Sequence, residues 1–296
     1  MAVWSTISAA ELRRRAAVGR ASLSACTLCE RRCGVNRLAG ERAPCGLGDQ
    51  TYCFKRHISM AEEVELLPSY MVYLGGCNFR CGFCVQAPVC FDPARGELVD
   101  PAALAAHCIE LVARGAKSIN LLGGEPSLHV HTILEVAAAA ADLGHVLPLV
   151  LNSNFYMTPE ALDLLDGVVS VYLADYKFGN DACAARIAGV GRYVEVLERN
   201  LLAAHAHATR NGATMLVRHL LMPGHAECCL APVARFVAAR LPEAAFHLMD
   251  SYVPAWRAPS APAAYPELAG LLSQADRHAA AGVLASVKLT HEGALL

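Results

Sequence analysis

LGGCNFRCGFCVQ, residues 74–86, places Cys77, Cys81 and Cys84 within eight residues of one another. Three thiols at this spacing are difficult to explain as packing, because a free cysteine normally behaves as a small isolated hydrophobe. They follow an apolar run, residues 71–75, that is typical of a buried strand. The stretch therefore predicts a loop at the end of a strand that holds a metal centre through three ligands.

From residue 71 onward, short apolar runs alternate with longer helical patterns. The predicted strands are 71–75, 118–122, 147–151, 168–173, 214–221 and 245–249. The predicted helices are 101–114, 130–143, 159–165, 193–211 and 230–239. This alternation is typical of a parallel sheet with right-handed crossovers. Six such units are too few for an eightfold barrel, so we predict an α/β fold with a partial (β/α)6 barrel.

The composition excludes several classes of protein. The chain has 296 residues, of which 55% are hydrophobic and 18% are charged, so it can bury a large core. A formal charge of −2 argues against a general nucleic-acid binder. Charged residues interrupt the N-terminus, and no apolar run is long enough to span a membrane. We expect a cytoplasmic protein without nucleic-acid or membrane partners.

A second group of thiols precedes the predicted barrel. Cys26, Cys29, Cys33 and Cys45 can hold either zinc or a four-iron cluster. Nearby arginines, Arg37 among them, favour the thiolates that bind metal. We predict a metal centre here and favour an iron–sulfur cluster over structural zinc.

The remaining cysteines and the chain termini complete the predicted organisation. The chain is predicted to contain an N-terminal Cys-rich module (1–70), the barrel (71–257) and a C-terminal extension (258–296) with a helix at 266–281 and a strand at 285–289. After its first helix, the module is predicted to be irregular. Cys108, Cys183, Cys228 and Cys229 lie far from the two cysteine clusters in the sequence. We predict that these four are buried or incidental thiols.

Polar residues follow the predicted strands at the positions where active sites of parallel sheets are built. Gly123, Gly124, Glu125 and Pro126 follow the second strand, and Asn152 follows the third. Asp175 and Lys177 follow the fourth strand, and Arg218 lies within the fifth. A buried arginine needs an anionic partner, which is a ligand or a carboxylate. His219 is predicted to be structural, because neighbouring side chains of a strand point in opposite directions.

The Cys-x3-Cys-x2-Cys spacing, with Phe83 before the last cysteine and GGEP after the next strand, resembles the radical S-adenosylmethionine superfamily. The segments CTLCERRCGVNRLAGERAPCG (26–46), VVSVYLADYKFG and VRHLLMPG are similar to the branch of pyruvate formate-lyase-activating-enzyme homologues. The resemblance covers about residues 26–257. It implies a [4Fe–4S] cluster on Cys77, Cys81 and Cys84 whose remaining iron chelates S-adenosylmethionine.

The resemblance also implies roles for the predicted rim. The glycine-rich turn would follow the methionine part of the cofactor, and Phe83 would pack near its adenine. Asp175 and Lys177 match an Asp-x-Lys motif of the glycyl-radical activases, and Arg218 matches an arginine that reaches the cofactor. Those activases have an aspartate where this chain has Asn152, which argues against a bound monovalent cation.

The resemblance implies an enzyme that cleaves S-adenosylmethionine reductively and removes a hydrogen atom from a small molecule or peptide. A low-potential flavodoxin- or ferredoxin-like protein would supply the electron. One alternative is an activating enzyme that makes a glycyl radical in a partner protein. Another, from a different class, is a non-catalytic iron–sulfur or zinc protein.

Overall fold

A computed structural model describes residues 7–287, 289 and 291–292. Within this part of the chain, nine strands form one sheet: β1 (Tyr52–Ser59), β2 (Ser69–Leu74), β3 (Glu97–Leu98), β4 (Ser118–Gly123), β5 (Leu149–Ser153), β6 (Val171–Asp175), β7 (Thr214–Leu220), β8 (Ala245–Met249) and β9 (His291–Glu292). Their order is β3-β1-β2-β4-β5-β6-β7-β8-β9. Neighbouring strands from β2 to β9 are parallel. All six predicted strands are present, and the predicted partial barrel is confirmed.

Helices cross between the parallel strands. The helices of the described residues are α1 (Ala9–Ala21), α2 (Pro101–Ala113), α3 (Val130–Asp142), α4 (Pro159–Asp163), α5 (Asp181–Ala188), α6 (Tyr193–Asn211), α7 (Ala231–Arg240) and α8 (Gln274–Ser286). Among these residues, no helix is long and apolar enough to cross a membrane. The sequence did not predict α5, which Asn180 caps by accepting a hydrogen bond from the Cys183 N–H at 2.8 Å.

Because side chains alternate along each strand, every second residue faces the barrel interior. The inward-facing residues form two successive layers. Val150, Leu173 and Leu216 form the lower layer on β5, β6 and β7, and Leu66 from the segment before β2 packs against them. This apolar group closes the floor of the barrel. Two residues further along the same strands stand Asn152, Asp175 and Arg218, which line a cavity above it.

The N-terminal segment is built onto the sheet. Helix α1 packs against α3, and β1 pairs with β2 in antiparallel register from Cys53 to Ser59. The prediction that this region is irregular after its first helix is therefore wrong for residues 52–59. The charged residues Lys55 and Arg56 hide the strand pattern in the sequence because their side chains face solvent. The division at residue 70 stays a prediction.

The C-terminal extension differs from its predicted pattern. In place of a helix over 266–281, a short 3-10 turn spans Glu267–Ala269, and α8 begins only at Gln274. Ser273 and Asp276 cap that helix reciprocally, which fixes its start. Because α8 continues to Ser286, the predicted strand at 285–289 is not formed. Residue 288, which belongs to that predicted strand, lies outside the described residues. The last strand of the described part of the chain is β9.

Candidate functional site

A cavity of about 420 Å³ opens at the carboxyl ends of the parallel strands. It brings together nearly all the residues that the sequence predicted for one site: Cys77, Cys81, Phe83, Cys84, Gly123, Gly124, Glu125, Asn152, Asp175, Lys177 and Arg218. Pro126 is buried in the turn behind this lining. Cavities at this end of a parallel sheet are where such folds bind ligands.

The backbone of the cysteine loop (residues 75–84) is held by hydrogen bonds to other segments of the chain. Gly76 adopts a φ of 81°, a left-handed conformation that suits glycine, and its N–H donates to the Cys90 carbonyl at 2.7 Å. The Cys77 N–H donates to the Cys45 carbonyl at 3.2 Å. The loop is thus tied directly to the N-terminal thiol segment.

Arg80 is a residue of this loop that the sequence analysis missed. Its Nη1 donates to the carbonyls of Cys77 at 2.6 Å and Phe79 at 2.8 Å, and its Nη2 donates to the Pro44 carbonyl at 2.6 Å. The guanidinium also lies 4.4 Å from the centre of the Phe91 ring. Arg80 therefore fixes the turn that presents the thiols, and only its position between two cysteines could have drawn attention to it.

The three thiols of the loop differ in their acidity. Burial raises the pKa of Cys77 well above its usual value and that of Cys81 to about 12. For Cys84, a hydrogen bond with Cys90, whose sulfur lies 3.9 Å away, lowers the pKa to about 7. Thiols as buried as Cys77 and Cys81 become thiolates only beside a cation, so they fit a metal cluster.

The glycine turn lies directly against the cysteine loop. A Cβ on Gly124 would stand 1.9 Å from the Gly76 carbonyl oxygen, and one on Gly123 would stand 2.6 Å from the Leu74 nitrogen. The N–H groups of Gly124 and Glu125 donate to the carbonyls of Leu74 and Gly76 at 2.7 and 2.8 Å. The glycines are thus required for contact between two protein segments, in addition to any contact with a ligand.

Glu125 is almost completely buried at the wall of the cavity. Its carboxylate accepts hydrogen bonds from Ser153 Oγ at 2.6 Å, the Asn154 N–H at 2.8 Å and the Ser127 N–H at 3.0 Å. Burial raises its pKa, although these three bonds oppose the rise. Glu125 therefore clamps the end of β5 to the glycine turn.

Asp175 and Lys177 form an ion pair at the rim, with Nζ 2.5 Å from Oδ2. Burial would lower the pKa of Lys177, but the charge of Asp175 raises it above its usual value. Lys177 consequently stays cationic close to the thiols. It supplies a positive charge where an anionic ligand group can bind.

Arg218 has carboxylate partners within the chain. Its Nη2 lies 2.6 Å from both oxygens of Glu63 and 3.1 Å from Glu62, and its Nε donates to Glu63 at 2.9 Å. The side chain still borders the cavity. His219 is buried and bonds the Tyr176 carbonyl at 2.7 Å, so it has the predicted structural contact.

Two further predicted residues complete the lining. The ring of Phe83 is buried and makes an edge contact with Tyr252, at 6.0 Å between ring centres. Both rings border the cavity and offer an apolar surface. Asn152 is buried at the end of β5 and places its amide on the same lining.

A fully buried arginine, Arg37, lies beside one of the N-terminal thiols and donates to the carbonyls of Gly48 at 2.6 Å and Leu128 at 3.3 Å. Cys26, Cys29 and Cys45 are buried, and Cys33 is half-buried. Arg37 Nη1 lies 3.8 Å from the Cys26 sulfur, whereas Arg37 Nη2 is buried without a hydrogen-bond partner among the described residues. Within the same part of the chain, no carboxylate forms an ion pair with Arg37. Thiolates are therefore the anions available to this cation.

Comparisons with known proteins agree with this geometry. The Radical SAM superfamily domain matches residues 71–237. MJ0674 of Methanocaldococcus jannaschii, an uncharacterized protein, is 33% identical over 264 residues, which cover 86% of this chain and 75% of that protein.

Two solved structures are also similar. SuiB of Streptococcus suis, bound to precursor peptide SuiA, is 13% identical with a TM-score of 0.52, over 73% of this chain and 46% of SuiB. A domain of pyruvate-formate lyase-activating enzyme from Bacteroides vulgatus is 16% identical, over 60% of this chain and 99% of that domain. Its TM-score is 0.42. The similarity to SuiB shows a shared fold and nothing more.

The partial barrel and its thiol-lined cavity define a metal-dependent α/β enzyme. The chain belongs to the Radical SAM superfamily, as its sequence resemblance predicts. Membership implies a four-iron cluster and S-adenosylmethionine, and the buried thiols of the cysteine loop fit such a cluster.

Proposed function

We propose that this protein cleaves S-adenosylmethionine reductively and removes a hydrogen atom from a small-molecule or peptide substrate. One observation carries the proposal: the three thiols of one loop and the polar rim line the same cavity of about 420 Å³. A cavity of this size suits a cofactor of several hundred daltons with part of a substrate. With this reaction, the protein would be an oxidoreductase similar to the glycyl-radical activating enzymes.

Different residues of the cavity bind the cluster and S-adenosylmethionine. Cys77, Cys81 and Cys84 would hold the cluster, which when bound and reduced would supply the electron for the reductive cleavage of S-adenosylmethionine. Lys177 attracts the cofactor carboxylate, and Asp175 orients Lys177. Gly123, Gly124, Pro126 and Asn152 shape the methionine pocket in this proposal.

Apolar and charged groups of the cavity lining fix the rest of the cofactor. Phe83, supported by Tyr252, packs against the adenine. Glu125 accepts from the cofactor ammonium at its remaining lone pair, and Arg218 adds positive charge while it stays bonded to Glu63. A low-potential flavodoxin- or ferredoxin-like protein supplies the electron.

We also propose a metal centre on Cys26, Cys29, Cys33 and Cys45. The unpartnered, buried Nη2 of Arg37 supports it, because a centre with four thiolates provides the negative charge that this cation needs. Tetrahedral zinc would hold its sulfurs about 3.8 Å apart. Among the described residues, the ligand atoms that lie close enough together for one such ion belong to another group, and the N-terminal sulfurs are spaced more widely. The wider spacing favours an iron–sulfur cluster here.

A second candidate function is the activation of a glycyl-radical enzyme. It is favoured by the ion pair of Asp175 and Lys177, which matches the Asp-x-Lys motif of those activases.

We further propose a cytoplasmic location. All 13 cysteines lie in the described residues and are free thiols, as is usual in a reducing compartment.

The test is S-adenosylmethionine cleavage by the reconstituted, reduced protein under anaerobic conditions. We expect 5′-deoxyadenosine from the parent protein and from Cys108→Ala, whose thiol is buried in α2 away from the cavity. We expect none from Cys81→Ala. Cleavage by Cys81→Ala at the parent rate would refute the proposal, and a parent that binds iron but never cleaves would support the non-catalytic alternative.

A second measurement separates the two substrate classes. The reaction is run with a candidate glycyl-radical enzyme or with a peptide library, each in deuterated form. Deuterium in the 5′-deoxyadenosine identifies the donor of the hydrogen atom. Transfer from a protein glycine, with a stable glycyl radical detected by electron paramagnetic resonance, would favour the activase over the first proposal.

A further inference from the structure

Four metal-ligating side chains from distant parts of the sequence meet beside α5. Cys183 lies in the first turn of α5, and His225, Cys228 and Cys229 follow β7. One ligand atom from each of them lies within 4.8 Å of all the others. The sequence analysis predicted these cysteines to be buried or incidental thiols. Cys229 is buried, but the fold brings all three sulfurs together with His225, so they are not incidental.

Four of the six distances between the ligand atoms are close to those around a single tetrahedral ion, and the two from the Cys183 sulfur to the other sulfurs are below 4.8 Å. His225 Nδ1 lies 3.3, 3.4 and 3.7 Å from the sulfurs of Cys228, Cys229 and Cys183. The sulfurs of Cys228 and Cys229 are 3.9 Å apart. Tetrahedral zinc, with Zn–S of about 2.3 Å and Zn–N of about 2.1 Å, requires N···S of about 3.6 Å and S···S of about 3.8 Å.

The imidazole of His225 is oriented as a metal ligand. Its Nε2 lies 3.1 Å from Glu267 Oε1, so the proton belongs on Nε2 and the lone pair of Nδ1 faces the three sulfurs. A carboxylate behind a ligating histidine is the usual support of zinc sites. Arg186 of α5 pairs with the same carboxylate and holds it in place.

The backbone around the group is shaped to bring two adjacent cysteines to one point. Residues Ala226–Leu230 form a π-helical turn, in which the Leu230 N–H donates to the His225 carbonyl at 3.1 Å. Asn180 Nδ2 donates to the Cys228 carbonyl at 2.8 Å and lies 3.3 Å from the Cys183 sulfur. N–H donors to sulfur stabilise thiolates.

We infer that Cys183, His225, Cys228 and Cys229 form a structural zinc site. Four protein ligands close the coordination sphere and leave no position for catalysis. The ion joins α5 to the turn after β7. The carboxyl end of α5 in turn accepts hydrogen bonds from the cysteine loop, from Arg80 to Ala188 at 3.0 Å and from Gly82 to Ile187 at 2.9 Å. Zinc therefore supports the loop that holds the cluster.

The experiment is metal analysis and zinc-edge X-ray absorption on the full-length protein after anaerobic reconstitution with iron. We expect one zinc per chain, with three sulfurs at about 2.3 Å and one nitrogen at about 2.1 Å. Cys228→Ser should lose the zinc, since its thiol is exposed and its removal disturbs little packing. Cys108→Ser, a buried thiol in α2, is the control and should keep it.

A second pair of variants tests the site without removing a ligand. Glu267→Gln should weaken zinc affinity by about 10- to 100-fold in chelator competition, because it loses the carboxylate behind His225. Arg186→Gln keeps the carboxylate itself and removes only its second partner, so it should change the affinity less than Glu267→Gln does. Stoichiometric zinc in Cys228→Ser, a shell of four sulfurs, or a zinc-free parent would overturn the inference. None of these readouts depends on S-adenosylmethionine cleavage, so the proposed function stands or falls separately.

Discussion

The rim and the floor of this partial barrel are built from the same strands but in different ways. At the rim, Asp175 faces an open cavity and pairs with Lys177, two residues away along the chain. At the floor, Leu173 of the same strand packs against Leu66, which lies more than a hundred residues earlier. The rim pair joins two near neighbours in the sequence and leaves space for a ligand, whereas the floor contact joins distant residues and fills space.

Arg218 is the residue at which the two regions meet. It borders the cavity on one side, and on the other it holds Glu62 and Glu63 of the segment that closes the floor. A single strand position can thus stabilise the barrel and contribute charge to its site. The predictions below separate these two contributions, beginning with the largest expected effect.

Cys81→Ala should abolish S-adenosylmethionine cleavage and leave the fold intact, since it removes a cluster ligand from the rim and no floor contact. Cleavage is measured by chromatography of 5′-deoxyadenosine, and folding by circular dichroism. Lost activity together with a large loss of stability would break the distinction between rim and floor.

Arg218→Met should lower the free energy of unfolding by about 3 kcal/mol, because it removes the guanidinium from the buried Glu63 and the half-buried Glu62. Only the imidazole of His247, 3.4 Å away, then remains beside Glu63 among the described residues. Urea unfolding of the cluster-free protein measures the effect. The double variant Arg218→Met/Glu63→Gln should recover part of the loss. An unchanged midpoint in the single variant would place Arg218 with the rim alone.

Lys177→Gln should weaken S-adenosylmethionine binding by about 10- to 150-fold, since a charge-assisted hydrogen bond contributes about 1.5–3 kcal/mol. Unfolding should change little, because the rim pair is not part of the floor. Titration of the reconstituted protein gives the affinity, with the exposed Lys117→Gln as the control. Equal affinities in both variants would remove Lys177 from the proposed binding site.

His129 supports the rim from below, with Nε2 2.8 Å from the Gly75 carbonyl and Nδ1 2.9 Å from Thr51 Oγ1. Burial lowers its pKa from 6.5 to about 3, so the folded state binds this proton less readily than the unfolded state. Its contribution to stability is complete above pH 6.5 and is lost as the pH falls towards 3, by at most about 1.4 kcal/mol per unit.

The measurement is the unfolding midpoint as a function of pH. His129→Gln keeps hydrogen-bonding groups at this position but does not titrate, so its midpoint should depend less on pH between 6.5 and 3. Parallel curves for the parent and the variant would mean that other groups carry the acid sensitivity.

Most of the rim could be predicted from the sequence because its residues come in short motifs. The cysteine loop, the glycine turn and the Asp175–Lys177 pair each lie within a few residues, directly after an apolar run. The spacing within one loop fixes which side chains can meet. That is why these residues line one cavity as expected.

The floor and the thiol group beside α5 could not be predicted in the same way. Glu63 reaches Arg218 and Cys183 reaches His225 only after distant elements have packed. The segment before β2 has no periodic pattern, and α5 is too short for a clear one. Position in the sequence gives no information on such pairs until the fold is known.

The hydrogen bonds between the cysteine loop and α5 have a consequence for the timing of biosynthesis. Gly82 finds its partner, the Ile187 carbonyl, only after more than a hundred further residues have been translated. At about 5–20 residues per second, this takes about 5–20 s after the last thiol of the loop has been made. During this interval the nascent loop lacks its hydrogen bonds to α5, so only a cluster inserted after the synthesis of α5 meets the loop in the conformation described here.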